Sequence, residues 1–214
     1  MNSTDRSIFS HYFPDLTPLQ WEQLEQLPHL YQEWNTKINV ISRKDIDNIV
    51  PNHILHSMSI GLYTRFKEGT NIFDIGTGGG LPGIPLAILF PDCQFTLIDS
   101  IGKKIKVAGS IAESLELHNV RAIQTRAEEL KGEKCHFVVS RAAMPMSELM
   151  KIGAHLVDRQ EQFNALPNGV IALKGGDLTE ELHPFRKIVS SEDILGLMPD
   201  IPFFETKKII YIPL

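Results

Sequence analysis

The sequence predicts an α/β protein in which a doubly wound, mostly parallel sheet follows a helical N-terminal region. From about residue 68 onward, apolar segments of strand length alternate with helical segments, which is typical of parallel sheets covered by helices on both faces. Before that point, apolar residues recur every three or four positions, as in amphipathic helices. We therefore expect two parts, a helical cap at 1–67 and one compact α/β domain at 68–214.

The helical cap has a clear start signal. Thr17 and Gln20 match the pattern of a capping box, and Pro18 occupies the first helical position, where its missing N–H does no harm. Pro28 lies inside the same helix and is expected to kink or split it. A second helical segment is predicted at about Asp45–Phe66.

The α/β domain is predicted to contain six strands. In chain order they are NIFDIG, QFTLIDS, VRAIQT, HFVVSRA, GVIALKGG and KKIIYIPL. Helices or helical turns are predicted between them at LPGIPLAILF, KKIKVAGSIAESLEL, AEEL, PMSELMKIGAHL and LTEELH. Because no full helix separates the last two strands, we expect the final strand to be antiparallel.

A glycine-rich loop follows the first strand of this domain. The segment FDIGTGGGLPGIP, Phe73–Pro85, contains five glycines, whereas a plain strand-to-helix turn needs one or two. In a doubly wound sheet, ligands bind at the carboxyl ends of the strands, where this loop lies. The sequence therefore predicts a ligand site at the loop.

Two cofactors fit the loop. Read from Gly78, it matches the dinucleotide pattern GxGxxG, and Asp99 lies about 20 residues further on, as a ligand of the NAD ribose would. Read from Asp74, it matches DxGxGxG, a loop that binds S-adenosylmethionine and includes Gly76 and Gly80. Asp99 suits either ribose. The second interpretation is favoured, since no substrate domain follows the sheet; a small NAD-dependent reductase and a non-enzymatic nucleotide-binding module stay open as alternatives.

The overall composition excludes several other classes. The chain has 214 residues, a net charge of -5 and two cysteines, Cys93 and Cys135, without metal-ligand spacing. We expect no metal site and no disulfide framework. The N-terminus lacks the basic and apolar regions of a signal peptide, and no apolar run approaches the length of a membrane span. We therefore expect a cytoplasmic protein without membrane contact or an obligate protein partner, acting as a monomer.

Six segments together resemble one known family. They are WNTKINVIS (Trp34–Ser42), HILHS (His53–Ser57), DIGTGGGLPGIPLAI (Asp74–Ile88), LIDSIGKKI (Leu97–Ile105), SRA (Ser140–Ala142) and ALKGG (Ala172–Gly176). With these segments in this order and spacing, the chain resembles the bacterial small-subunit (16S) ribosomal RNA guanine-N7 methyltransferases, also called glucose-inhibited division protein B. It departs from the family at His56, where an acidic residue is usual, and at Gly79, where proline is usual.

The resemblance implies a Rossmann-like class I methyltransferase fold, S-adenosylmethionine as methyl donor, and 16S ribosomal RNA or the small ribosomal subunit as partner. It also implies cofactor contacts at Gly76, Leu81, Asp99, Ser100, Ile101, Ala127, Glu128 and Arg141. The glycine pattern of the loop adds Gly78 and Gly80 to these candidates.

The expected chemistry needs no catalytic acid or base. The N7 atom of guanine carries an in-plane lone pair and loses no proton on methylation, so alignment of the reactants is the main requirement. The sequence after the fourth strand, SRAAMP, lacks the (Asp/Asn)-Pro-Pro-aromatic motif of enzymes that methylate exocyclic adenine nitrogens. We therefore name no catalytic residue.

Contact with RNA must come from local basic groups, because the chain as a whole is acidic. Five basic residues against two acidic ones lie between Ile101 and Ala127. The candidates for RNA binding are Arg43, Lys103, Lys104 and Lys174. For Lys103 and Lys104 a solvated helix face is an equal alternative. A guanine that buries its N7 edge must leave its stack, which favours an unpaired loop as target.

Overall fold

A computed structural model describes residues 3–141 and 143–214. Residues 1, 2 and 142 lie outside the described residues, so Ala142 of the SRA motif is not placed. The chain begins with α1 (Ser3–Tyr12) and α2 (Pro18–Lys37). The predicted capping box is confirmed, because the Thr17 hydroxyl accepts from the Gln20 N–H and the Gln20 side chain accepts from the Thr17 N–H. Pro28 does not split α2, which continues through it.

The second helical segment is not one regular helix. A 3₁₀ turn at Ile46–Asn48 leads into a π-helical segment at Val50–Leu55 and then into α3 (His56–Tyr63). Pro51 lies at the start of the π-helical segment and has no N–H to donate, which disturbs a regular α-helical hydrogen-bond pattern there. His53 lies in this π-helical segment and reaches Arg141 at the end of β4.

Within the described residues, seven strands form one sheet. They are β1 (Asn71–Ile75), β2 (Gln94–Asp99), β3 (Val120–Gln124), β4 (Phe137–Arg141), β5 (Gly169–Gly175), β6 (Ser190–Asp193) and β7 (Lys207–Pro213). Their order is β3-β2-β1-β4-β5-β7-β6, with parallel pairs from β3 to β5 and with β7 antiparallel to both of its neighbours. The predicted fold class and the antiparallel last strand are confirmed. The strand β6 and the helix α1 carry no pattern that predicts them, and they were not expected from the sequence.

Helices connect the strands on both faces of the sheet. They are α4 (Gly83–Leu89), α5 (Gly102–Ser114), α6 (Met146–Leu156), α7 (Thr179–Leu182) and α8 (Ile194–Leu197). Short 3₁₀ turns lie at Ala127–Glu129, His183–Phe185 and Pro202–Thr206. The chain leaves β1 towards β2 on one side and reaches β4 on the other, so a crevice opens between the carboxyl ends of β1 and β4.

Alternate residues of each strand pack against opposite faces. In β1, Ile72 packs into the core under α2 to α5, whereas Phe73 and Ile75 pack into the core under α6. The N-terminal helices share the first of these cores, and two glutamines of α2 tie them to it. Gln20 donates to the Ile88 carbonyl at 2.8 Å and Gln23 donates to the Leu115 carbonyl at 2.9 Å. The boundary at residues 67/68 stays a prediction, since the cap and the sheet are packed together.

Candidate active site

A cavity of about 590 Å³ lies at the carboxyl ends of β1, β2, β3 and β4. Seven of the ten residues predicted to bind the cofactor line it, and they come from four separate segments of the chain. These seven are Gly76, Asp99, Ser100, Ile101, Ala127, Glu128 and Arg141. The fold thus brings together most of the candidates that the sequence identified.

Asp74, at the end of β1, holds the glycine-rich loop through hydrogen bonds. Its carboxylate is fully buried, and Oδ2 accepts hydrogen bonds from the Thr77 hydroxyl at 2.6 Å and from the Gly83 N–H at 2.8 Å. Burial raises the pKa of Asp74 to about 7, although these two hydrogen bonds act in the opposite direction. Its Oδ1 has no hydrogen-bond partner among the described residues. Asp74 therefore joins the two ends of the loop.

The glycines of the loop serve two different purposes. Gly78 has a φ of 59°, and no described atom lies within 4 Å of the position that a Cβ would take. At Gly80 the same Cβ would lie 2.3 Å from Ile84 Cδ1, and Leu81 is buried in the core. Gly78 thus presents bare backbone to open space, whereas Gly80 allows close packing behind the loop. Gly78, Gly80 and Leu81 are not among the residues that line the cavity, and their predicted cofactor contacts stay predictions.

Asp99 joins the loop to the end of β2. Its Oδ2 accepts from the Gly78 N–H at 3.0 Å and its Oδ1 accepts from the Ile101 N–H at 2.9 Å. Each carboxylate oxygen has further acceptor capacity beyond one hydrogen bond. The carboxylate is therefore fixed by the backbone while it still faces the cavity. This geometry suits recognition of a pair of hydroxyl groups.

The turn after β3 forms another part of the wall. The carbonyl of Asp99 accepts from the Thr125 N–H at 3.2 Å, which holds the end of β3 against the end of β2. Ala127 is buried there and Glu128 is exposed. Thr125 and Met144 also line the cavity and were not identified from the sequence. No local motif distinguishes them, because only the fold brings them to this place.

Arg141 enters the cavity from the end of β4 and is held by the N-terminal region. Its Nη1 donates to His53 Nδ1 at 2.7 Å, and His53 Nε2 lies 2.5 Å from Asp45 Oδ2. Asn52 donates to the other oxygen of Asp45 at 2.6 Å. Burial lowers the pKa of Arg141, while Tyr31, Asp74 and Asp45 oppose this shift; the guanidinium remains charged. His53 belongs to the HILHS segment, but no role is predicted for it from the sequence.

His56, the residue that departs from the family pattern, belongs to the core. It is buried, and its ring centre lies 5.7 Å from that of Phe203 and 5.8 Å from that of Phe204. Burial and the nearby Arg141 lower the pKa of His56 to about 3, so the ring is neutral. Its Nε2 has no partner among the described residues. The aromatic surroundings explain why a neutral ring is accommodated at this position.

The residues predicted to bind RNA fall into two groups. Arg43 and Lys103 are exposed, and Lys104 lies at the edge of the cavity. Lys174 has an 11% exposed side chain, and its ammonium donates to the Met144 carbonyl at 2.6 Å and to Glu181 Oε1 at 2.9 Å. Glu181 also accepts from the Met146 N–H. The structure thus shows Lys174 supporting the segment after β4, and a phosphate contact for it stays a prediction.

Other types of site find little support. In the described ranges, no group of three His, Cys, Asp or Glu side chains is arranged to hold a metal ion. No helix in the same part of the chain combines the length and apolar character needed to cross a membrane. Cys93 and Cys135 are both buried, and burial raises the pKa of the Cys93 thiol to about 11. Neither thiol lines the cavity.

The strand order, the antiparallel β7 and the glycine-rich loop beside a strand-end carboxylate define a Rossmann-like, S-adenosylmethionine-dependent methyltransferase. A solved structure of a SAM-dependent methyltransferase from Aquifex aeolicus has the same fold, with a TM-score of 0.51 and 12% identity over 77% of this chain and 92% of that one. Residues 20–199 match the model of the GidB family, rRNA small subunit methyltransferase G. The chain belongs to this family.

Two curated relatives support the assignment over nearly the whole chain. The ribosomal RNA small subunit methyltransferase G of Porphyromonas gingivalis is 54% identical over 207 residues, which cover 97% of this chain and 93% of that protein. The protein of the same name from Parabacteroides distasonis is 54% identical over 208 residues, covering 97% of this chain and 89% of that protein. The resemblance inferred from the sequence motifs is confirmed.

Proposed function

We propose that this protein transfers the methyl group of S-adenosylmethionine to N7 of a guanine in an unpaired loop of 16S ribosomal RNA. One observation carries the proposal. In a chain of the rRNA small subunit methyltransferase G family, the fixed carboxylate of Asp99 faces a cavity beside the open side of Gly78. The open side is a cradle that a Cβ would fill, so the residues present fit a ligand that approaches the backbone closely.

Each wall of the cavity suits one part of the methyl donor. Asp99 would accept hydrogen bonds from the two ribose hydroxyls, since both of its oxygens retain acceptor capacity. Ser100 and Ile101 would border the ribose, and the Ala127–Glu128 turn would lie beside the adenine, whose edge backbone groups can recognise. Arg141 would pair with the carboxylate of the methionine part, for which a guanidinium is a well-matched partner. The glycine-rich loop passes beneath the ligand.

Methylation of guanine N7 requires alignment of the two reactants and no proton transfer. Bound S-adenosylmethionine supplies an electrophilic methyl group. Guanine N7 already presents a lone pair and has no proton to lose, so the chain need not provide a general base. Arg141 and Asp99 both line the cavity and would hold the ligand there, and the segment after β4, supported by Lys174, forms another part of the wall. We therefore assign these residues to binding and orientation.

Basic groups around the cavity mouth are proposed to contact the RNA backbone. Arg43 and Lys103 are exposed, and Lys104 lies at the rim of the cavity. Phosphate contacts of this kind fix the position of the RNA without reading its sequence. A flipped or unpaired guanine can then reach the cavity. We further propose that the enzyme acts as a monomer in the cytoplasm, where its ribosomal substrate is.

The proposal is tested by titration and by methyl transfer. The purified protein is titrated calorimetrically with S-adenosylmethionine and, separately, with NADH, and it is then incubated with methyl-labelled S-adenosylmethionine and 16S ribosomal RNA or small subunits. We expect binding of S-adenosylmethionine and transfer of label to the RNA. Binding of NADH alone would favour a reductase. Tight binding of S-adenosylmethionine without transfer to either substrate would favour a non-enzymatic binding module.

A further inference from the structure

A hydrogen-bonded chain of three side chains runs from the N-terminal region into the cavity. Asp45 lies directly before the 3₁₀ turn, His53 lies in the π-helical segment, and Arg141 ends β4. The Asp45–His53 distance is 2.5 Å and the His53–Arg141 distance is 2.7 Å. Among the described residues, no other hydrogen bond holds the Arg141 guanidinium. The position of this cation therefore depends on an imidazole 88 residues away in sequence.

The chemistry of the three groups fixes the proton on His53. A guanidinium can only donate, so His53 Nδ1 must be the acceptor of the Arg141 hydrogen bond. The ring proton then lies on Nε2, which donates to the carboxylate of Asp45. Asn52 fixes the other oxygen of that carboxylate. A doubly protonated ring would turn an N–H towards the N–H of Arg141, and the contact would be lost.

We propose that His53 is a positioning residue, which holds the Arg141 guanidinium in the cavity at the place where the methyl donor binds. Asp45 is a positioning residue for His53, because its carboxylate accepts from Nε2–H and so keeps the ring in the required tautomer. The proposal rests on the proposed function of Arg141 as a partner of the methyl donor. It also gives the N-terminal region a role in the site, since Asp45 and His53 both precede the sheet.

The arrangement implies a dependence on pH. Asp45 and Arg141 face His53 directly, His56 lies one turn further along the chain and is itself faced by Lys207, and Tyr31 and Asp74 face Arg141. Burial and the charge of Arg141 lower the pKa of His53, although Asp45 acts in the opposite direction. The ring is therefore neutral at neutral pH and gains a proton only in acid, below its ordinary value of about 6.5. At these acidic pH values the contact with Arg141 is lost, so the affinity for the methyl donor should fall.

Two amide variants of His53 distinguish a role in positioning Arg141 from a purely structural role of the imidazole ring. In His53→Asn, the side-chain oxygen reaches the place of Nδ1 and can still accept from Arg141, and the residue cannot titrate. In His53→Gln, the amide reaches the place of Nε2 near Asp45 and leaves Arg141 without its acceptor. Both variants remove the imidazole, so a purely structural role would affect them alike. Thermal unfolding of both variants measures that structural cost separately.

The readout is calorimetric binding of S-adenosylmethionine between pH 5 and 8, which needs no RNA. We expect His53→Gln to lose about tenfold in affinity at pH 8, the lower end of the range for a hydrogen bond to a charged group. His53→Asn should retain most of the affinity and lose the fall on the acid side. Asp74, whose pKa is near 7 and is lowered by Arg141, keeps this neighbour in wild type and in His53→Asn, so the difference between their pH profiles reports on His53.

The outcomes are distinct. Equal affinities of the two variants, or an acid-side fall that persists unchanged in His53→Asn, would overturn the positioning role. If His53→Gln fails to fold, the pH profile of His53→Asn decides alone: loss of the acid-side fall seen in wild type supports the role, and an unchanged fall overturns it. A wild-type protein that does not bind S-adenosylmethionine at any pH would contradict the proposed function instead.

Discussion

Replacement of Gly78 by alanine tests whether the glycine-rich loop receives the methyl donor. Gly78 has a φ of 59°, where an alanine is strained by roughly 1 kcal/mol. No described atom lies within 4 Å of the new Cβ, so the free protein adds no steric cost. Gly132→Ala is a matched control: its φ is 76° and its Cβ also meets open space, but it lies in the segment before β4, whereas Gly78 donates its N–H to Asp99 in the cavity wall. Valine is less suitable, because β-branching worsens the strain at positive φ.

The two alanine variants should be equally stable and should differ in binding. Each is expected to lower Tm by roughly 2–4 °C, the shift for about 1 kcal/mol in a chain of this size. Affinity for S-adenosylmethionine should fall at least tenfold in Gly78→Ala, about 1.4 kcal/mol, and stay near wild type in Gly132→Ala. Thermal unfolding and calorimetric titration measure the two quantities. If folded Gly78→Ala binds the methyl donor as tightly as Gly132→Ala, the loop does not form the site.

Four further variants test other parts of the account. Asp99→Ala should weaken S-adenosylmethionine by about 1.5–3 kcal/mol in calorimetry; equal wild-type affinity for the 2′-deoxyribose analogue would contradict the ribose contact. For Asp74, burial raises the folded pKa from 3.8 to about 7, so the stability it contributes is present in acid and lost as pH rises between these values. Asp74→Asn should therefore gain stability relative to wild type over this range, by up to about 4 kcal/mol in chemical denaturation; a difference that does not vary with pH would refute this. Replacing Lys103 and Lys104 together by alanine should reduce the slope of log RNA affinity against log salt by about 1.4–1.8. An unchanged slope would mean that both lysines only form a solvated helix face. Lys174→Met should slow single-turnover methylation at saturating RNA, because the Met144 carbonyl loses its donor; full activity would remove Lys174 from the support of the site.

The fold was predictable to the extent that each element carries its own pattern. The five strands β1 to β5 are short apolar runs next to turn signals, and the structure confirms them. In contrast, β6 is the segment SSED, a short and mostly exposed edge strand without an apolar run. Of the α1 side chains that the structure describes, only Phe9 is buried, and Ile8 and Tyr12 pack against the same core while partly exposed. Both elements depend on neighbours that are distant in sequence.

The site was predictable where its parts are local motifs. The glycine-rich loop and Asp99 follow directly from the sequence, and Asp99 indeed faces the cavity. The contact between His53 and Arg141 was not predictable, because the two residues lie 88 positions apart in sequence and only the packing of the N-terminal region against the sheet brings them together. The ion pair of Lys174 with Glu181 likewise becomes visible only in three dimensions. A lysine at a strand end is equally compatible with a phosphate contact.

The central claim concerns the atom that is methylated, and mapping of the methyl group tests it most directly. The protein is incubated with methyl-labelled S-adenosylmethionine and 16S ribosomal RNA or small subunits, and the RNA is then reduced with borohydride and treated with aniline, which cleaves at N7-methylguanosine. We expect label in 16S ribosomal RNA and a new cleavage at a guanine in an unpaired loop. Label that resists this cleavage, or that resides on another base, would contradict the account.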